Sequence, residues 1–156
     1  GRMDYRLEPL DMNSLVEDIC ILQETIIKEN EARVIFNDLP VITAAKTPLH
    51  RLLSNLINNA IKYRKSEVSP VVEISVKEKE NFWEIMVKDN GIGVNELFFE
   101  KIFVIFQRLH SRDKYSGTGI GLAICKKIVE NHGGEMWVNS KEGIGSAFHF
   151  TIKKHF

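Results

Sequence analysis

Cysteine, proline and long apolar runs are scarce in this sequence, and an excess of charge of either sign is missing. The two cysteines among 156 residues, Cys20 and Cys125, lie far apart inside apolar helical patterns. Neither their number nor their spacing makes a disulfide framework or a metal cluster, so buried reduced thiols of a cytoplasmic protein are expected. Lys plus Arg number 21 and so do Asp plus Glu, which excludes capture of a large polyanion through bulk positive charge. No nucleic-acid partner is therefore expected. No stretch approaches the roughly 18 consecutive apolar residues of a membrane span, and the longest candidates, such as Ile102 to Phe106, are far shorter. The opening Gly1-Arg2-Met3-Asp4 lacks the order of regions of a signal peptide, and Gly1 reads as a cloning scar. Only four prolines and ten glycines punctuate a chain that is 44% apolar and 27% charged, the usage of one globular domain with an ordinary core.

What is present is a series of periodic segments. Leu15, Ile19, Leu22 and Ile26 recur at helical spacing and predict one helix that stops at Asn30, with Ser14-x-x-Glu17 as its capping box. Arg33 to Asn37 is a short β-rich run, and Asp38-Leu39-Pro40 turns it into a second, Val41 to Thr43. Thr47 as N-cap and Pro48 at the first helical position open a second helix that runs to about Tyr63. Val72, Ile74 and Val76 alternate with Glu73, Ser75 and Lys77, and Trp83, Ile85 and Val87 alternate again, which predicts an antiparallel hairpin with one buried face. An irregular, glycine-punctuated stretch from Asp89 to Gly121 is long for a compact domain and points to a binding loop or lid. A third helix begins near Thr118, carries Ile120, Ile124 and Ile128 on one stripe, and ends at His132-Gly133-Gly134. Two closing strands, Glu135 to Asn139 and Ser146 to Lys153, meet at a turn containing Gly143 and Gly145. Three helices and five to seven strands, with a hairpin among them, predict an α+β two-layer sandwich in which the helices cover one face of a mixed, largely antiparallel sheet.

Three constellations can carry chemistry. On the second helix, Asn55, Asn59, Lys62 and Tyr63 fall within an arc of roughly 100°, opposite Leu53, Leu56, Ile57, Ala60 and Ile61. Such a stripe can be a solvated face. It also offers amide oxygens to a hard cation and an ammonium to an anion, the mixture wanted by Mg²⁺ on nucleotide phosphates. Asn is a poor helix former, and Asn55, Asn58 and Asn59 within five positions require a reason. Asp89-Asn90-Gly91-Ile92-Gly93 follows directly on a strand and can be a tight turn. An aspartate there can also accept from an exocyclic amine while a flat ring slides past glycine backbone, which favours adenine over guanine. Gly117-Thr118-Gly119-Ile120-Gly121 opens the third helix and can present backbone N–H groups to phosphates. It is not a dinucleotide fingerprint, and the chain has neither a Gly-x-x-x-x-Gly-Lys loop nor the eukaryotic-type kinase pattern.

In this order and spacing, from about Leu10 to Ile152, the three elements resemble the catalytic and ATP-binding domain of bacterial sensor histidine kinases, within the wider gyrase, Hsp90, histidine kinase and MutL ATPase family. Residues 56 to 63 resemble its asparagine box, Asp89 to Gly93 its first glycine box, Phe103 to Leu109 its phenylalanine box and Gly117 to Leu122 its second glycine box. Gly145 to Phe148 is similar to the closing strand, and the wording Phe-Gln-Arg-Leu-His is similar to phytochrome-type and hybrid kinases. The resemblance implies a Bergerat-type fold with ATP and Mg²⁺ as cofactors. It places Mg²⁺ on Asn59 with Asn55 beside it, the phosphates at Lys62, the adenine against Tyr63 and its N6 on Asp89, with Gly91 and Gly93 shaping that wall. It brings Arg108 toward the γ-phosphate and makes Gly117, Thr118, Gly119 and Gly121 the cradle and hinge below a lid of about residues 95 to 117. Lys62, Arg64 and Lys65, together with Arg108, Arg112 and Lys114, would then concentrate positive charge near the phosphates. Lys114 and Tyr115 in the lid are weaker candidates for contact with the nucleotide.

The implied activity is transfer of the ATP γ-phosphoryl group to a histidine on a dimerisation and phosphoacceptor domain, and onward to a response regulator receiver domain. His50, His132 and His149 read as structural or exposed, and His110 as a possible lid contact. None is followed by the acidic residue and proline of a phosphoacceptor box, so autophosphorylation of this fragment is not expected, and dimerisation is expected only in the full-length protein. Residues 1 to 9 read as scar and linker and 10 to 156 as the catalytic domain, cytoplasmic and without direct membrane contact, in a parent that can be membrane-anchored. Two other readings of the same fold stay open: an ATP-driven clamp of the chaperone or topoisomerase type, and an anti-sigma-type protein kinase. Both use a water-activating glutamate where this chain has Asn55, and an amide cannot take a proton as a carboxylate does.

Overall fold

The computed structural model describes residues 5–103 and 120–154. The elements follow in the order β1 (Glu8–Asp11), α1 (Met12–Leu22), α2 (Glu24–Glu29), β2 (Arg33–Phe36), β3 (Val41–Ala44), α3 (Lys46–Lys62), β4 (Val71–Glu78), β5 (Phe82–Asp89), α4 (Ile120–Asn131), β6 (Met136–Lys141) and β7 (Gly145–Lys153). Single 3₁₀ turns at Glu96–Phe98 and Lys101–Phe103 follow β5. Five strands form one sheet in the order β2-β4-β5-β7-β6, antiparallel throughout except for the β2–β4 pair. That parallel pair needs a crossover, and α3 lies within it. β1 and β3 form a separate antiparallel ribbon.

Alternation decides which face is covered. Val72 and Ile74 on β4, Ile85 and Val87 on β5, Phe148, Phe150 and Ile152 on β7, and Val138 on β6 are all buried, whereas Glu73, Lys88 and Asn139 on the opposite face are exposed. The helices lie on the buried side, where Leu49, Leu52, Leu53, Leu56, Ile57 and Ile61 of α3 and Cys125, Ile128 and Val129 of α4 complete one core. The two-layer α+β sandwich is thus observed. Among the described residues no helix is long and apolar enough to cross a membrane.

Several local expectations are corrected. The helix over the first thirty residues is broken at Gln23, whose Nε2 turns inward to donate to Ser54 O at 3.2 Å. Beyond that break the expected apolar stripe leaves the core: Leu15 and Ile19 are buried, but Leu22 is 73% exposed and Ile26 36%. The N-cap is Asp11, not Ser14. Its Oδ1 accepts from Asn13 N at 2.9 Å and Ser14 N at 3.4 Å. α3 begins at Lys46 with Ala45 as N-cap, and no side chain caps it. Pro48 stands third in this helix and brings no N–H to be capped. The Ala45 N–H itself donates to His132 Nε2 at 3.0 Å. Residues 8 and 9, expected in a linker, belong to β1 and pair with Ala44 and Thr43.

Candidate functional site

The asparagine stripe of α3 faces away from the core as the helical wheel requires. Leu53, Leu56, Ile57, Ala60 and Ile61 are buried, while Asn55, Asn59, Lys62 and Tyr63 are half-buried. Asn55 Nδ2 donates to Cys125 Sγ at 3.8 Å, so this residue bridges α3 to α4 as well as lying on the polar face. Lys62 Nζ lies 5.5 Å from the centre of the Tyr63 ring, within cation–π range. Arg64 Nη1 donates to Asn30 O at 2.9 Å, and Lys65 Nζ to Gly143 O at 3.0 Å.

At the end of β5 the chain folds back on α3. Ile92 N donates to Tyr63 O at 3.0 Å, and Gly91 passes so close that a Cβ there would lie 2.6 Å from the same oxygen. Gly93 adopts φ +74°, and a Cβ on it would overlap Lys141 O. The glycines are therefore needed for the loop to pass between Tyr63 and the β6–β7 turn. Asp89 lies at this junction. Its Oδ1 accepts from Gly91 N at 2.8 Å and from Ser146 N at 3.2 Å. Burial pushes its carboxyl up to about 6, and these two backbone N–H groups oppose the rise. Such a carboxylate is fixed in direction and poorly hydrated, which suits it to accept a hydrogen bond from a ligand.

Neighbouring residues that the sequence reading did not single out hold this wall. Asn90 Oδ1 accepts from Val71 N at 2.8 Å and its Nδ2 donates to Ser69 O at 3.1 Å, tying the loop to the start of β4. Ser140 Oγ accepts from Val94 N at 2.7 Å, donates to Gly145 O at 2.8 Å and meets Ser146 Oγ at 2.7 Å. Alternation marked these strands but could not show which polar side chains would turn toward the loop. Behind α3, His132 is fully buried, with Nδ1 on Ile128 O at 2.8 Å and Nε2 accepting from Ala45 N, which defines the neutral Nδ1–H tautomer. Burial lowers its pKa. His149 stacks on Trp137 with ring centroids 5.1 Å apart. Both are structural, as is the thiol of Cys125, which burial pushes up to about 12.

Ile102 and Phe103, the start of the expected phenylalanine box and part of the expected lid, are buried. Arg108, His110, Arg112, Lys114, Tyr115, Gly117, Thr118 and Gly119 lie outside the described residues, and of Gly121 only its place in α4 is described. The donor set fits a hard cation that keeps most of its ligands from elsewhere. Two amides one turn apart offer oxygen, and among the described residues no group of three or more His, Cys, Asp or Glu could cage a metal without help.

The glycine loop joins the half-buried carboxylate at the end of β5 to the end of the asparagine helix, and the chain belongs to a defined family of ATPases: the model for "Histidine kinase-, DNA gyrase B-, and HSP90-like ATPase" matches residues 44–155. Among similar proteins, cyanobacterial phytochrome A of Nostoc sp. is 52% identical over 126 residues, 81% of this chain and 16% of that protein. The adaptive-response sensory kinase SasA of Prochlorococcus marinus is 42% identical over 117 residues, 74% of this chain and 30% of that protein. The chain thus spans less than a third of the length of these relatives. Among solved structures, the catalytic domain of histidine kinase ThkA superposes with a TM-score of 0.80 at 29% identity, covering 96% of this chain and 98% of that one. ThkA in complex with response regulator protein TrrA also matches, with a TM-score of 0.73, 25% identity, and 96% and 42% of the two chains covered.

Proposed function

We propose that this domain binds Mg²⁺-ATP and delivers its γ-phosphoryl group to a histidine on a phosphoacceptor domain outside these 156 residues. The observation that carries the reading is Asp89, a half-buried strand-end carboxylate held by two backbone N–H groups beside a glycine wall that passes the end of α3. The second oxygen, which takes neither of those bonds, accepts from the adenine N6 amine, and Tyr63 flanks the ring. Asn59 with Asn55 holds the cation, and Lys62 meets the phosphates. The cation, when bound, neutralises charge on the phosphates and orients them. From the family resemblance, Arg108 approaches the γ-phosphate, and Gly117, Thr118, Gly119 and Gly121 form the cradle at the start of α4. The incoming histidine nitrogen bonds to the γ-phosphorus as the bond to the bridging oxygen breaks, and ADP leaves. Catalysis is by positioning and charge neutralisation. An amide at Asn55 supplies no general base for water, which weighs against a hydrolytic clamp. The likenesses to SasA and to ThkA in its complex with a response regulator support a phosphorelay with a receiver domain as the next acceptor.

Calorimetric titration with ATP and GTP, followed by labelled ATP with the phosphoacceptor hairpin of the full-length protein added separately, tests this reading. Expected are selective ATP binding, acid-labile label on the hairpin and none on this domain. Equal affinity for GTP, or rapid ATP hydrolysis with no label on the hairpin, would overturn it.

A further inference from the structure

Cys125 touches the asparagine helix at two points. On α4 and fully buried, its Sγ donates to Leu52 O at 3.9 Å and accepts from Asn55 Nδ2 at 3.8 Å. A thiol carries one hydrogen, and here it is directed at a carbonyl, so the sulfur offers Asn55 only lone pairs. An amide against such an acceptor turns its NH₂ toward it, because its oxygen in the same place would set two acceptors face to face. The two ends of an amide are nearly equal in size, yet only the oxygen is a ligand for a hard cation. We propose that Cys125 is a positioning residue for the nucleotide site, its sulfur fixing the Asn55 side chain so that NH₂ faces α4 and Oδ1 is presented to the cation shared with Asn59. The inference rests on the Mg²⁺-ATP reading above. Without the sulfur, Asn55 samples both orientations of its amide, and the oxygen is presented for only part of the time.

The test is ATP affinity by calorimetry with saturating Mg²⁺ and with EDTA, read as the ratio of the two, with thermal unfolding measured alongside. Cys125→Val fills the space without lone pairs, and the Mg²⁺-dependent ratio is expected to fall about twofold, because an amide free to take either orientation presents its oxygen about half of the time. Cys125→Ser keeps a donor for Leu52 and lone pairs for Asn55, and its ratio is expected to match that of the unmodified protein. Both substitutions lower the melting temperature, so stability alone does not distinguish them. A ratio unchanged in the valine variant, or reduced equally in both, would mean a cysteine that only packs, and would overturn the proposal. If valine crowds α3 and the variant does not fold, Cys125→Ala removes the same lone pairs. Asn59→Ala separates the two levels of the argument. A normal ratio there sinks the Mg²⁺ assignment itself, while a reduced ratio there with a normal one in the valine variant sinks only the role of Cys125.

Discussion

Asp89 is held in surroundings that favour its proton over its charge. Its carboxyl titrates near 6 in the folded chain against an ordinary value of 3.8, so the folded state binds a proton more readily than the unfolded one. The associated stability is fully present below the unfolded value and is lost as pH rises through about 6, an upper limit of about 3 kcal/mol because water screens a half-buried group. Asp89→Asn removes the buried charge and is expected to raise the melting temperature of the nucleotide-free domain at pH 7.5. Scans at several pH values should show the two proteins converging toward pH 4, and a variant less stable than its parent at pH 7.5 would refute the account. The same substitution turns a donor toward the adenine amine, so ATP affinity is expected to drop at least about tenfold, the cost of a buried pair left unsatisfied. Gly91→Ala keeps the carboxyl group of Asp89 but sets a methyl 2.6 Å from Tyr63 O and 3.0 Å from Asp89 Oδ1. It should weaken ATP binding without the pH signature, and unchanged affinity by calorimetry would show that the wall tolerates the shift.

Among the secondary-structure elements, the parts that bring the site together are joined by contacts that no periodicity announces. His132 fastens the end of α4 to the start of α3 through Ala45 N, and its ring lies 4.9 Å from that of Tyr5. His132→Ala leaves a buried N–H unpaired and opens a cavity, and is expected to cost about 3 kcal/mol, measured by denaturant unfolding. Its pH signature is opposite to that of Asp89. Burial lowers its pKa from 6.5, so the unfolded chain takes up the proton first, and this part of the stability is lost as pH falls below about 6.5. The alternating strands, the α3 stripe and the glycine loop were legible because burial on one face leaves a period in the sequence. The break at Gln23 and the His132 clasp were not, because each depends on a partner distant in the chain, Ser54 O and Ala45 N; the Asp11 cap is local, and the competing Ser14-x-x-Glu17 pattern hid it. Asp89, Gly91 and Gly93 were legible as a loop leaving a strand, whereas the close approaches that require the glycines, to Tyr63 O and Lys141 O, involve partners distant in the chain.

For the molecule as a whole, the segment matched by the family model and the folding unit do not coincide. The match begins at residue 44, yet Met12, Val16 and Ile19 are fully buried and Leu15 nearly so, within the same core as Leu49, Leu52 and Leu56 of α3. Each such side chain contributes about 1.5–3 kcal/mol when buried, and the four together are of the same order as the roughly 5–15 kcal/mol by which a whole domain is stable. β2, the parallel edge strand, would be lost with them, leaving the edge of β4 unpaired. A fragment of residues 44–156 is therefore expected to show no cooperative thermal transition and to bind a hydrophobic dye, whereas residues 5–156 melt in one step. Circular dichroism and dye fluorescence on the two fragments decide it: a cooperative melt in the shorter one would mean that the second half of the core suffices. The proposed ATP site draws its described candidates, from Asn55 to Gly93, from within the matched region, but α3, which carries Asn55, Asn59 and Lys62, has its other side buried against α1. Loss of α1 should thus remove ATP binding along with the fold, although no residue before Ala44 is assigned to the nucleotide.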